Sequence, residues 1–195
     1  DWKKMKKIII LIPVYNDWES LNKLLSEINE NIISFSENNF ECLIVNDAST
    51  IQPPELKKPS NFLSIELLNM KENRGHARCN AFGIRYIFQN KEFDNLILMD
   101  GDGEDRPEEI KSLIEKIKED PSLSVVAKRV KRSEGPFFQS LYQLHKLITF
   151  IFTGKNINFG NYSMLTRNDI EKLYSKASLW SSFSGSVKKN IKSLN

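Results

Sequence analysis

Apolar residues along the first 130 positions follow two periods in turn. Short, nearly unbroken apolar runs at residues 7–14, 40–45, 62–68, 95–99 and 123–130 read as buried strands. Between the first two, Trp18, Leu21, Leu24, Leu25, Ile28 and Ile32 recur at helical spacing over residues 17–34, and Asn16 or Asp17 stands where a cap belongs. Helices are also predicted at 75–89 and at 107–119, where Pro107 suits a first turn that needs no backbone donor and Pro121 stops the run. Residues 46–50 are turn-like, and Pro53, Pro54 and Pro59 mark a loop. Strands and helices alternating through short links predict an α/β fold, a mostly parallel sheet covered by helices on both faces.

The pattern changes after residue 134. A helix at 136–152 carries Phe137, Leu141, Leu144, Ile148 and Ile151 on one face, with Phe138, Tyr142, Leu147, Phe150 and Phe152 spilling onto others; a strand at 158–165 and a short helix at 169–176 follow. Charge changes at the same place. Residues 1–134 sum to −3 and residues 135–195 to +6, and the basic part holds 10 of the 20 aromatic residues. A basic, aromatic-rich segment suits an anionic and partly greasy partner such as a membrane surface or a lipid phosphate. The stretch at 136–153 is broken by Gln139, Gln143, His145 and Lys146, so it does not span a bilayer, which takes about 20 mostly apolar residues. Ile8 to Ile12, ended by Pro13, is too short for a signal-peptide core. With 195 residues, the chain suits one domain; Cys42 and Cys79, lacking metal-ligand spacing, read as reduced core thiols of a cytosolic protein.

Candidate chemistry sits at strand ends. In an open α/β sheet ligands bind beyond the carboxyl ends of the strands, near the point where strand order reverses. Asn16-Asp17, Asn46-Asp47 and Asp100-Gly101-Asp102 each follow a predicted strand, so three clusters distant in sequence are expected to converge. The third packs Asp100, Asp102, Glu104 and Asp105 into six residues. Carboxylates so close raise one another's pKa unless a cation neutralises them, and oxygen ligands suit Mg²⁺ or Mn²⁺ completed by substrate phosphates. A calcium-binding EF-hand loop is excluded, because the twelfth position counted from Asp100 is Lys111 rather than Glu.

Taken together, Ile12-Pro13-Val14-Tyr15-Asn16-Asp17, Val45-Asn46-Asp47-Ala48-Ser49-Thr50, Asn73-Arg74-Gly75 and Met99 to Pro107 resemble, in order and spacing, glycosyltransferase family 2, and most closely its dolichyl- or polyprenyl-phosphate sugar transferases. The resemblance covers roughly residues 6–170 and implies a GT-A (Rossmann-like) fold and inverting transfer of a sugar from a nucleotide-diphosphate-sugar. It also implies roles. Pro13, Tyr15 and Asp17 line the nucleotide pocket; Val45 and Asp47 contact base and ribose; Asp100, Gly101 and Asp102 form the Asp-x-Asp element on the donor diphosphate. Arg129 faces the phosphates, and Asp102 and Arg129 carry the catalytic role. Two departures stand out: Asn46 where the family has Asp, and Glu104 where these lipid-phosphate enzymes have Gln. Glu104 is therefore expected to join Asp100 and Asp102 at the metal.

Residues 1–134 are thus expected to form the nucleotide-sugar half, and residues 135–195 an acceptor- and membrane-facing extension of the same domain. A phosphate acceptor is already an anion and needs no general base, whereas a hydroxyl acceptor does. Beyond Glu134 the acids are Asp169 and Glu171, in the first turn of a short helix, and neither forms the acidic pair that hydroxyl-directed relatives carry. The expected acceptor is a polyprenyl phosphate. The alternatives are transfer to a sugar hydroxyl of a glycan, with Asp169 or a residue beyond this chain as base, and a non-catalytic nucleotide-sugar-binding module. No nucleic acid partner is expected. The site of action is expected to be the cytoplasmic, inner face of the cell membrane, with this chain a truncated form followed by membrane helices. His76 and His145 read as surface or satisfied core residues, and Arg74 as a nucleotide contact or a helix cap.

Overall fold

The computed structural model describes residues 4–128, 159–191 and 193–194. Strand β1 (Lys7–Val14) has seven of its eight residues buried, because it lies mid-sheet with helices on both sides. Its side chains alternate between two cores. Ile8, Ile10 and Ile12 pack with α1 (Trp18–Ile32) and α3 (Glu109–Glu119), while Ile9 and Leu11 pack with α2 (His76–Asn90) and two later helices, α4 (Arg167–Leu173) and α5 (Phe183–Asn190). Helices α1 and α3 bury the stripes their spacing predicts, including Leu21, Leu24, Leu25 and Ile28 on α1 and Ile110, Leu113, Ile114 and Ile117 on α3. Each fully buried Ile or Leu contributes about 1.5–3 kcal/mol.

Strands β2 (Asn39–Asn46), β3 (Phe62–Asn69), β4 (Asn95–Leu98), β5 (Val125–Lys128) and β6 (Phe159–Thr166) complete a six-stranded sheet in the order β3-β2-β1-β4-β6-β5. β1 pairs in parallel with β2 (Lys7 with Asn39) and with β4 (Ile8 with Asn95). The chain leaves β1 for β2 and β3 on one side, then crosses to β4 on the other, so the topological switch lies between β1 and β4. β6 runs antiparallel to both β4 and β5. Its first residues therefore lie at the carboxyl end of β4, and Thr166 lies at the opposite edge beside Asn95.

Asp17 caps α1, its Oδ1 accepting the Ser20 amide at 3.2 Å. Gly75, at φ 85°, turns the chain into α2. A short 3₁₀ turn (Ala177–Trp180) and α5, which the periodicity did not reveal, cover the α2 face. Cys42 and Cys79 are both free and buried. Among the described residues no helix is long and apolar enough to cross a membrane. The helix expected at 136–152, with His145, lies outside the described residues.

Helix α2 sits close to β1 because position 83 has no side chain. A Cβ on Gly83 would fall 2.5 Å from Leu11 Cδ1 and 3.1 Å from Val45 Cγ2. Gly83→Ala is expected to cost about 1–3 kcal/mol, the range for overpacking a tight core. Urea unfolding gives the value; a loss well below 1 kcal/mol would mean that the α2–β1 seat is loose.

Candidate active site

Three parallel strands deliver their following loops to one edge of the sheet. Pro13 and Val14 at the end of β1, Tyr15 and Asp17 just after it, Asp47 after β2 and Asp100–Asp102 after β4 surround a cleft of about 240 Å³ at the β1–β4 switch, with His76 and Cys79 of α2 forming a further wall. Pro13, Tyr15, Asp17, Asp47, Asp100, Gly101 and Asp102, all expected from the sequence, line this one cleft. Tyr15 is 47% exposed at its mouth, so its ring is open to a stacking partner. Val45 does not face the cleft: it is fully buried against α2, and its carbonyl accepts the Cys79 thiol.

The walls of the cleft are held by hydrogen bonds that the side chains themselves supply. Asn16, at φ 60°, accepts the amides of Thr50 (2.8 Å) and Ile51 (3.0 Å) on its Oδ1, while its own amide donates to Ser49 Oγ. The loops after β1 and β2 are thereby tied together, and Trp18 Nε1 adds a bond to the Ile51 carbonyl. Asn46 is a scaffold residue: Oδ1 accepts the Ser49 amide and Nδ2 donates to Asn69 Oδ1 at 2.8 Å. An amide at 46 makes both bonds in this arrangement, which accounts for Asn at a position where the family pattern has Asp. Asp47 accepts the amides of Arg74 (2.8 Å) and Gly75 (2.9 Å), one on each oxygen, and so anchors the start of α2. The Arg74 guanidinium pairs with Glu72 at the surface.

The acidic loop is folded back on itself. Asp105 Oδ2 accepts the Asp100 amide at 2.8 Å, and Asp102 Oδ1 accepts the Glu104 amide at 2.9 Å. Burial pushes the Asp105 carboxyl up to about 7, and the charges of Asp100, Asp102 and Glu109 add to the rise. Tyr162 of β6 donates its hydroxyl to the Arg106 carbonyl at 2.9 Å, pinning the far end of the loop. Gly101 is where the loop crosses β1: a Cβ there would meet the Pro13 carbonyl at 2.8 Å. No other residue type could sit so close to that backbone.

The contacts of three residues with Asp100 escaped the sequence reading. His76 is exposed, as its surface assignment expected, and its Nε2 lies 2.8 Å from Asp100 Oδ1, a contact the sequence did not show. The Asn161 amide stands 3.3 and 3.4 Å from the two Asp100 oxygens, and Asp105 holds the Asp100 backbone. Their only sequence signal was position: first residue of a helix, third residue of a strand, and end of an acidic run. The expected three-carboxylate metal set is not assembled, since among the described residues no three acidic, His or Cys side chains converge on one point. Asp100 and Asp102, on a loop beside an open cleft, fit instead a cation that draws its remaining ligands from a diphosphate. Arg129 lies outside the described residues.

Asp169 is excluded as a base at this cleft. It is 4% exposed, accepts Ser124 Oγ (2.6 Å) and Lys172 Nζ (2.7 Å), and follows the end of β6 at the far edge of the sheet.

The sequence model of glycosyl transferase family 2 matches residues 9–183. Undecaprenyl-phosphate 4-deoxy-4-formamido-L-arabinose transferase of Salmonella choleraesuis (strain SC-B67) is 30% identical over 169 residues, covering 86% of this chain and 50% of that protein. The uncharacterized glycosyltransferase YkcC of Bacillus subtilis (strain 168) is 29% identical over 132 residues, 67% of this chain and 39% of that protein. The chain thus spans about half the length, or less, of these curated relatives. Among solved structures, TarS 1–349 of S. aureus in complex with UDP superposes with a TM-score of 0.61 at 18% identity, over 94% of this chain and 55% of that one. Mannosyltransferase PcManGT of Pyrobaculum calidifontis, in complex with GDP-Man and Mn²⁺, gives 0.55 at 19% identity, over 89% and 48%. These likenesses establish the GT-A fold.

The buried Asp105 makes stability depend on pH in a stated direction. Its folded pKa, about 7, lies above the ordinary 3.8, so the stability of the protonated form is lost as pH rises from about 4 to about 7. Asp105→Asn keeps an acceptor for the Asp100 amide and carries no charge. In metal-free protein, its thermal midpoint is expected to exceed that of the parent by a margin that widens between pH 4 and about pH 7 and then levels off. A margin that stays constant from pH 4 to pH 8 would refute the burial argument.

Proposed function

This chain belongs to glycosyltransferase family 2, and on that premise we propose that it transfers a sugar, with inversion, from a nucleotide-diphosphate-sugar to a polyprenyl phosphate. The observation that carries the reading is the convergence of Tyr15, Asp17, Asp47 and the Asp100–Asp102 element on one cleft at the β1–β4 switch. Tyr15 offers a face to the base, and the loops tied by Asn16 and Asp47 form the rigid wall beside it. Asp100 and Asp102 would hold Mg²⁺ or Mn²⁺ on the donor diphosphate. Bound there, the cation would offset the negative charge that grows on the leaving nucleoside diphosphate. We assign Arg129 to the same phosphates.

Residues 1–134 then serve the donor, and residues 135–195 the acceptor and a membrane surface at the inner face of the cell membrane. The first curated relative is named for an undecaprenyl-phosphate acceptor, which supports the lipid-phosphate reading. The far-edge position of Asp169 weighs the same way, since transfer to a sugar hydroxyl loses the base named within this chain.

Asp102 is exposed and its loop lies outside the core, so Asp102→Asn is expected to fold normally and to lose transfer by about 100-fold or more. The assay offers UDP- and GDP-sugars with Mn²⁺, and polyprenyl phosphate or free oligosaccharides as acceptors. Full turnover by the variant, or by the parent in excess chelator, would sink the metal assignment; transfer to oligosaccharides alone would sink the lipid acceptor.

A further inference from the structure

Asp100, in the acidic loop, is grasped by side chains from two other elements. It follows β4 directly, and its side chain is 23% exposed at the floor of the cleft. From the α2 side, His76 Nε2 reaches Oδ1 at 2.8 Å. From the β6 side, the Asn161 amide spans both oxygens at 3.3 and 3.4 Å. The imidazole contact is the shorter and is directed at one oxygen only.

His76 is itself held in place. The two residues before it are pinned by Asp47 through their amides, and Gly75 sets the direction of the chain. One helical turn on, the Asn80 side chain, 1% exposed, brings its amide nitrogen to 3.4 and 3.5 Å from the two ring nitrogens. The ring is therefore bracketed between a buried amide and the Asp100 carboxylate. Through Asp47, β2 and α2 also share in setting its place.

We propose that His76 is a positioning residue for Asp100, fixing one carboxylate oxygen so that the side chain meets the donor's cation in a set orientation. The inference rests on the glycosyltransferase reading and deepens it. It requires a proton on Nε2, which the neutral imidazole supplies as well as the charged one, so the role does not depend on ionisation of the ring. A ligating carboxylate already held by a hydrogen bond has less rotamer freedom to lose when the cation arrives, and removing such outer partners typically costs about 10–100-fold in metal affinity.

Mn²⁺ binding to the full chain, with UDP or GDP present, tests this by calorimetry or electron paramagnetic resonance, with the metal-free thermal midpoint measured alongside. His76→Ala and His76→Phe are expected to weaken Mn²⁺ binding by about 10–100-fold while keeping the metal-free midpoint of the parent. His76→Gln, whose amide nitrogen can take the place of Nε2, is expected to recover most of the affinity. In transfer assays the loss should appear as a raised metal requirement. Parental Mn²⁺ affinity in folded His76→Ala, or equal losses in the Ala and Gln variants, overturns the role of His76 and leaves the metal reading intact. Failure of the parent chain to bind Mn²⁺ with either nucleotide overturns both.

Discussion

Mutual repulsion in the loop after β4 is the constraint around which the site is built. Asp100, Asp102, Glu104 and Asp105 fall within six residues, and a segment so charged holds its shape without a cation only if groups from elsewhere hold it. Those groups come from three elements. β1 presents the Pro13 carbonyl against Gly101, α2 presents His76 to Asp100, and β6 presents Asn161 to Asp100 and the Tyr162 hydroxyl to the Arg106 carbonyl. The loop relieves part of the repulsion internally by turning Asp105 inward onto the Asp100 amide, where burial favours its neutral form. Every one of these contacts requires β4 to stand between β1 and β6 in the sheet.

The opposite wall answers to a different requirement, that the cleft keep its shape when empty. Asn16 and Ala48 both adopt positive φ without being glycine, a conformation costing about 1–3 kcal/mol each. Asn16 is kept there by hydrogen bonds to Ser49, Thr50 and Ile51, and Ala48 by the turn that Asn46 closes on Ser49. Asp47 extends the same lacing to Arg74 and Gly75. Loops from β1 and β2 and the start of α2 therefore form one hydrogen-bonded unit, and α2 passes its rigidity on to His76.

Much of this was legible in the sequence because two signals are local. Apolar periodicity marked the first four strands and the three helices up to Glu119, since each buries a stripe or a whole strand of its own. Polar clusters directly after strands marked the cleft, since parallel strands send all their carboxyl ends to one edge. What the sequence hid was pairing. Nothing local says that β6 runs antiparallel between β4 and β5, and so nothing placed Asn161 beside Asp100 or sent Asp169 to the far edge. His76 looked idle because its partner lies 24 positions away on another strand end. Val45, two positions before Asp47, lies inside the buried strand with its side chain packed on α2, a placement that its neighbourhood in the sequence does not reveal. Helix α5 carries only Phe183 and Val187 as buried apolar residues, too few to show a period.

The reversal of β6 also bears on the acceptor. A parallel strand in that place would have delivered its following helix, and with it Asp169 and Glu171, to the edge where the cleft opens. Running antiparallel, β6 instead delivers its beginning, and the described side chain it sets at Asp100 is the neutral amide of Asn161. Asp169 ends at the other edge as a helix-end carboxylate, satisfied by Ser124 and Lys172. A phosphate acceptor approaching the Asp100–Asp102 element already meets carboxylates there, and each further one would add like-charge repulsion that the proposed cation would have to offset. A hydroxyl acceptor has the opposite need, a base within hydrogen-bond reach. An amide donor near Asp100, with the acids of that helix turned away, is an arrangement better matched to an acceptor that brings its own negative charge.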